Sequence, residues 1–106
     1  MDRLTQILAF LEEQPSDSFL RYALAQEYAK REDYEQAEAQ YRLLLNQDPS
    51  YLATYYHLAV LLRAQARTEE AKDLLDDGID RAKAQREQHA LSEMQSLRLE
   101  MEYEDE

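Results

Sequence analysis

The stretch that decides the fold is Leu24 to Pro49, LAQEYAKREDYEQAEAQYRLLLNQDP, because the chain repeats its pattern thirty-four residues later. Leu24-Ala25 returns as Leu58-Ala59, Glu35-x-Ala37 returns as Glu69-x-Ala71, and Tyr22, just upstream, returns as Tyr56. The same shift applied backwards carries Pro49-Ser50 onto Pro15-Ser16. A fixed period of about 20–50 residues marks a solenoid array, in which each unit buries its apolar face only against its neighbours.

Outward from this stretch, apolar periodicity fills the chain with helices. Leu4, Ile7, Leu8 and Leu11 have the i, i+3, i+4, i+7 spacing of an amphipathic helix over residues 2–14, with Asp2 as its cap. Pro15 must lie outside it, since a proline in a helix interior costs about 3 kcal/mol. Ser16, Asp17 and Ser18 offer caps for a second helix reaching about Arg31, with Leu20, Leu24, Ala25 and Tyr28 as its apolar and small positions. Asp33 to Gln36 reads as a capping box for a third helix, which carries Ala37, Tyr41, Leu44 and Leu45 and ends before Asp48-Pro49.

The next period repeats the plan. A fourth helix near 52–65 carries Tyr55, Leu58, Ala59 and Leu62, and a fifth near 69–83 carries Ala71, Leu74, Leu75, Gly78 and Ile79. A sixth, near 87–102, puts Ala90, Leu91, Met94, Leu97 and Met101 on one face. Its other face holds Glu87, Glu93, Gln95 and Glu100, the two-faced pattern that a solenoid's terminal cap needs. Glu102 to Glu106 are nearly all acidic and are expected to fray.

With these positions placed, the chain resembles the tetratricopeptide repeat family, whose unit is a helix-turn-helix of about 34 residues. The first unit matches the family pattern at Arg21, Leu24, Ala25, Tyr28, Ala37, Tyr41, Leu44 and Pro49. The second matches at Tyr55, Leu58, Ala59, Leu62, Ala71, Leu75, Gly78 and Lys83, and Ile7, Phe10 and Pro15 fit half of a preceding unit. The resemblance implies one all-α domain over 1–106, a right-handed α-solenoid of antiparallel helix pairs. Its two full repeats would cover 18–51 and 52–85, flanked by helices at 2–14 and 86–102. Two departures stand out. Glu32 and Ala66 occupy the turns where the family often has glycine, so these turns either avoid positive φ or carry about 1 kcal/mol or more of strain each. Lys83 replaces the closing proline, so the fifth helix is expected to run on.

The resemblance also implies a concave groove, lined by the first helix of each pair, that binds a peptide or a partner helix. The groove-facing positions fall on Phe19, Tyr22, Ala23, Gln26 and Lys30 in the first unit. In the second they fall on Ala53, Tyr56, His57, Val60 and Arg63, and His89 is expected to complete the wall from the sixth helix. Tyrosine at the shared position of Tyr22 and Tyr56 offers a large apolar face with a polar tip at low entropic cost. The competing reading is that both rings only pack between helices. The lysine- and asparagine-based clamp with which some family members grip a chaperone's C-terminal carboxylate is not matched, since its positions hold Tyr22, Gln26 and Val60.

Composition narrows the function classes. The formal charge of -11 argues against nucleic acid and anionic membranes, which need clustered Lys and Arg. There is no cysteine and a single glycine, so a thiol nucleophile and a glycine-rich phosphate loop are excluded, and no catalytic residue is assigned. No cofactor or metal is expected, although His57 and His89 leave a small-ligand or metal site as a minor alternative. No apolar run reaches the roughly 20 residues of a membrane span, and the N-terminus lacks a basic leader, so a soluble cytoplasmic protein is expected. The partner is expected to be another protein. The chain is expected as a monomer or a weak homodimer through Phe10, Leu52 or Leu99.

Overall fold

The structure, a computed structural model, describes residues 2–104. Among them lie six helices and no strand: α1 (Arg3–Glu13), α2 (Ser18–Lys30), α3 (Tyr34–Gln47), α4 (Ala53–Ala64), α5 (Thr68–Gln85) and α6 (Gln88–Glu104). They form two compact units, Met1–Tyr51 with α1 to α3 and Leu52–Glu106 with α4 to α6. The division falls where the 34-residue period starts its second copy.

In the first unit every helix opens on an aspartate. Asp2 accepts from Thr5 N at 2.8 Å, Asp17 from Leu20 N at 2.9 Å, and Asp33 from Gln36 N at 3.3 Å. Each carboxylate satisfies a backbone donor that the helix itself leaves unpaired. Ile7 and Leu11 of α1 pack with Ala23 and Leu24 of α2, and Leu4, Leu20 and Tyr28 close over them. Ala23 therefore faces α1 and not a groove, which corrects its projection as a groove residue. Phe10, by contrast, stays 53% exposed and adds little to this seam. Glu27, buried in the same region, is held by Arg3 at 3.6 Å and by Arg31 at 3.3 Å. Ser18 at the start of α2 donates to Asp48 beyond the end of α3 at 2.6 Å, and Ser50 donates to the other oxygen at 2.8 Å.

The second unit is organised around small residues. Ala59 and Ala71 are fully buried, with Tyr55, Leu58, Leu62, Leu75, Met94 and Met101 filling the space around them. Gly78 of α5 lies against Tyr55 of α4 and Met94 of α6, so one residue without a side chain lets three helices meet. The buried stripe Leu91, Met94, Leu97, Met101 seats α6 on its neighbours. Arg98 pairs with Asp76 at 3.0 Å and with Glu102, and Lys72 lies 3.6 Å from Glu102. These ties hold the C-terminal turns, so Glu102 to Glu104 are helical where fraying was expected. Residues 105 and 106 lie outside the described residues.

Three helix ends share one backbone solution. Asp33 N–H reaches Tyr28 O and Glu32 N–H reaches Ala29 O, while Arg67 and Ala66 make the equivalent bonds to Leu62 and Arg63. Glu87 and Arg86 repeat this on Ala82 and Lys83. This is the Schellman pattern, which needs a left-handed residue and favours glycine. Here Glu32, Ala66 and Arg86 take it at φ 63°, 61° and 59°. The turns therefore accept positive φ at a cost of about 1 kcal/mol or more each. As expected from Lys83, α5 runs on to Gln85 before it ends this way.

Candidate functional site

The two units present the expected groove residues differently. On α2 of the first unit, Phe19, Gln26 and Lys30 are exposed along one stripe. Tyr22 lies on the same stripe but is half-buried, its ring 5.7 Å from that of Tyr51 and 6.5 Å from that of Tyr41. Burial raises the pKa of both Tyr41 and Tyr51, so this aromatic group is neutral and partly structural.

In the second unit α4 and α6 border an open cleft. Tyr56, Val60 and Arg63 line it from α4, and His89, Glu93, Leu97, Glu100 and Glu104 line it from α6. Tyr56, Leu97 and Glu100 border both halves of the cleft, which measure about 360 and 580 Å³. Such volumes suit side chains of a bound segment. Its apolar part is Tyr56, Leu97 and Val60, the last 42% exposed. His57 sits beside Tyr56 with ring centroids 5.3 Å apart at 72°.

Charge is distributed unevenly here. Arg63 is engaged, its guanidinium 3.1 Å from Glu100 and 3.3 Å from Glu104. It thus braces α4 against α6 while still lining the cleft, with 35% of its side chain exposed. Glu93 lies 3.9 Å from His89, an ion pair only when the imidazole is protonated. Burial lowers the pKa of His57, with a smaller upward pull from Glu93, so His57 is neutral at pH 7. The two histidines are both near Glu93, yet among the described residues no group of three or more His, Cys, Asp or Glu could hold a metal ion.

Of the residues the sequence singled out in this unit, Tyr56, Val60, Arg63 and His89 border this cleft, and His57 lies beside Tyr56. Sequence reasoning missed Ser92, Glu93, Ser96, Leu97, Glu100 and Glu104. Glu93 and Glu100 were read as the solvent face of a cap. Their spacing from His89 (four and eleven residues) is that of one helical stripe, which is the signal that could have found them.

The class defined by this geometry is an all-α protein of repeated helical hairpins with an open, solvent-lined cleft. A tetratricopeptide repeat family model matches residues 28–94, and the chain belongs to that family. It is similar to the tetratricopeptide repeat domain protein of Salinibacter ruber. In the crystal structure of that protein the identity is 42% over 81% of this chain and 96% of that one, with a TM-score of 0.77. In the solution structure the identity is again 42%, over 83% and 89%, with a TM-score of 0.80. The solution structure of a Bordetella parapertussis protein shares the fold at 24% identity and a TM-score of 0.85, over 99% of this chain and 91% of that one. No curated protein matches the chain. Domains of this family are generally protein–protein interaction modules without catalytic activity. No helix among the described residues is long and apolar enough to cross a membrane.

Proposed function

We propose that the protein is a non-enzymatic cytoplasmic scaffold that captures a peptide or helical segment of another protein in the α4–α6 cleft. The observation that carries this reading is Tyr56: it borders both halves of the cleft while remaining only half-buried, so its ring is available to a ligand. Val60 and Leu97 extend the apolar strip beside it, and Glu93, Glu100 and His89 form a polar rim. On α2, Phe19, Gln26 and Lys30 are the contact residues proposed for the first unit, with Tyr22 contributing the exposed part of its ring.

The test is affinity capture from the native cell extract with wild type and Tyr56→Ala, both checked by circular dichroism. Loss of a wild-type partner from the folded variant supports the reading. Identical capture by both proteins, or capture of nothing, removes the cleft as the binding site.

Self-association is the second reading, favoured by Leu99 and Tyr103. These lie one turn apart on α6, 56% and 66% exposed, and so form a small apolar patch. Sedimentation equilibrium across a range of concentrations decides it: a strict monomer removes the homodimer.

A further inference from the structure

Resting on the cleft reading above, we infer that the segment captured between α4 and α6 is basic and amphipathic, setting Lys or Arg against Glu93 and Glu100 and apolar side chains against Tyr56, Val60 and Leu97. The cleft itself supplies the argument. Glu93, Glu100 and Glu104 face it, and the cation among its lining residues on α4 is Arg63. That guanidinium is shared between Glu100 and Glu104, so it does not offset Glu93. The nearby histidine on α4 is neutral at pH 7 and does not offset it either, and His89, 3.9 Å from Glu93, does so only when protonated. An acidic ligand would therefore meet an excess of carboxylate charge, with Glu93 outside the Arg63 pairs, and such a like-charge juxtaposition opposes binding.

A basic ligand meets complementary groups at every level of the cleft. Glu93 would accept from a lysine or arginine at the α6 rim. The exposed part of the Tyr56 ring, bordering both halves, offers a face to the same cation or to its methylene stem. Val60, 42% exposed, would take the apolar residues one helical turn away, with the uncovered edge of the buried Leu97 as the floor beneath them. The strip is short, so the ligand needs apolar positions on one face only. The formal charge of -11 draws cations to the whole chain, whereas the inference concerns where they dock.

The experiment uses the full chain and three synthetic helical peptides with one leucine pattern, whose polar faces are all Lys, all Gln or all Glu. Binding is read by fluorescence anisotropy at physiological salt, and the contact is located by amide chemical shifts. The Lys peptide should bind about tenfold more tightly than the Gln peptide and should shift α4 and α6 amides, with the Glu peptide weakest. Glu93→Gln with Glu100→Gln should abolish most of that preference. Glu12→Gln with Glu13→Gln removes the same formal charge from α1 and should leave it intact. Glu93→Gln alone gives a second measurement should the pair disturb the seating of α6. Equal losses in the α6 and α1 pairs, or equal binding of the Lys and Gln peptides, would overturn the basic-segment inference while leaving the cleft as a binding site. If none of the peptides bound, or if binding ignored Tyr56→Ala, the cleft reading would fall, and this inference with it.

Discussion

Gly78 and Tyr55 approach so closely that a Cβ added at residue 78 would lie 2.7 Å from the Tyr55 Cβ. The same atom would meet Met94 Sδ at 2.7 Å. The methionine can swing aside, but Tyr55 Cβ is fixed to the α4 backbone and cannot. Alanine normally gains about 1 kcal/mol over glycine inside a helix. Here overpacking dominates, and Gly78→Ala should destabilise the protein by about 1–3 kcal/mol net. Urea unfolding followed by circular dichroism measures it. A variant as stable as wild type would show that α4 and α5 separate at little cost.

The opposite substitution should help at the left-handed turns. Glu32→Gly and Ala66→Gly remove the Cβ from residues held near φ 60°, while the greater freedom of glycine in the unfolded chain offsets part of the gain. Each should stabilise by about 0.5–1 kcal/mol, seen as a higher midpoint of thermal unfolding. A lower midpoint would mean that the side chains at these turns contribute more than their strain costs.

Thr54 is fully buried in α4, and its hydroxyl has no hydrogen-bond partner. A buried donor left unsatisfied costs about 1–3 kcal/mol, and valine has nearly the same shape without the hydroxyl. Thr54→Val should therefore raise stability by about 1 kcal/mol, with helicity unchanged. A loss of stability in denaturant titrations would show that the hydroxyl is satisfied in solution.

Acid sensitivity should centre partly on Asp48. The hydrogen bonds from Ser18 and Ser50 hold its carboxyl below the usual value of 3.8. A folded pKa below the unfolded one gives stability that is fully present above the unfolded value and lost as pH falls through the folded value. Stability should thus decline below about pH 4, with Asp2 and Glu102 contributing in the same direction. Ser18→Ala should lower stability at pH 7 and flatten this decline, as measured by denaturation midpoints from pH 3 to 7. An unchanged slope would exclude the Ser18–Asp48 bond as its source.

The fold was legible because its signals were local and repeated. Ala25, Ala37, Ala59 and Ala71 mark the close helix crossings, and Asp2, Asp17 and Asp33 mark helix starts by a chemistry visible in single residues. The left-handed turn at Arg86 was not legible, because its signal is a pair of backbone hydrogen bonds and the residue there is an ordinary arginine. Projection failed at Ala23, since the face it was assigned to is covered by α1. On α6 it could supply little beyond His89: that helix lies outside the period, so no repeat position pointed to Glu93, Glu100 or Glu104. The role of Arg63 stayed hidden for the same reason, because its carboxylate partners lie thirty-seven and forty-one residues away on that helix.

The apolar seat of α6 has a consequence for how the cleft responds to its medium. Leu91, Met94, Leu97 and Met101 hold the helix by burial, which added salt does not screen, whereas the cleft's carboxylates act through solvent. At about 1 M ionic strength the screening length shrinks to about 3 Å, from about 8 Å in physiological salt. The buried contacts of α6 then persist, while its exposed ion pairs and the proposed attraction for a basic segment both fade. Ionic strength should therefore weaken the proposed preference for a basic segment, and loosen the ion pairs that brace α6, well before it disturbs the buried stripe that seats the helix.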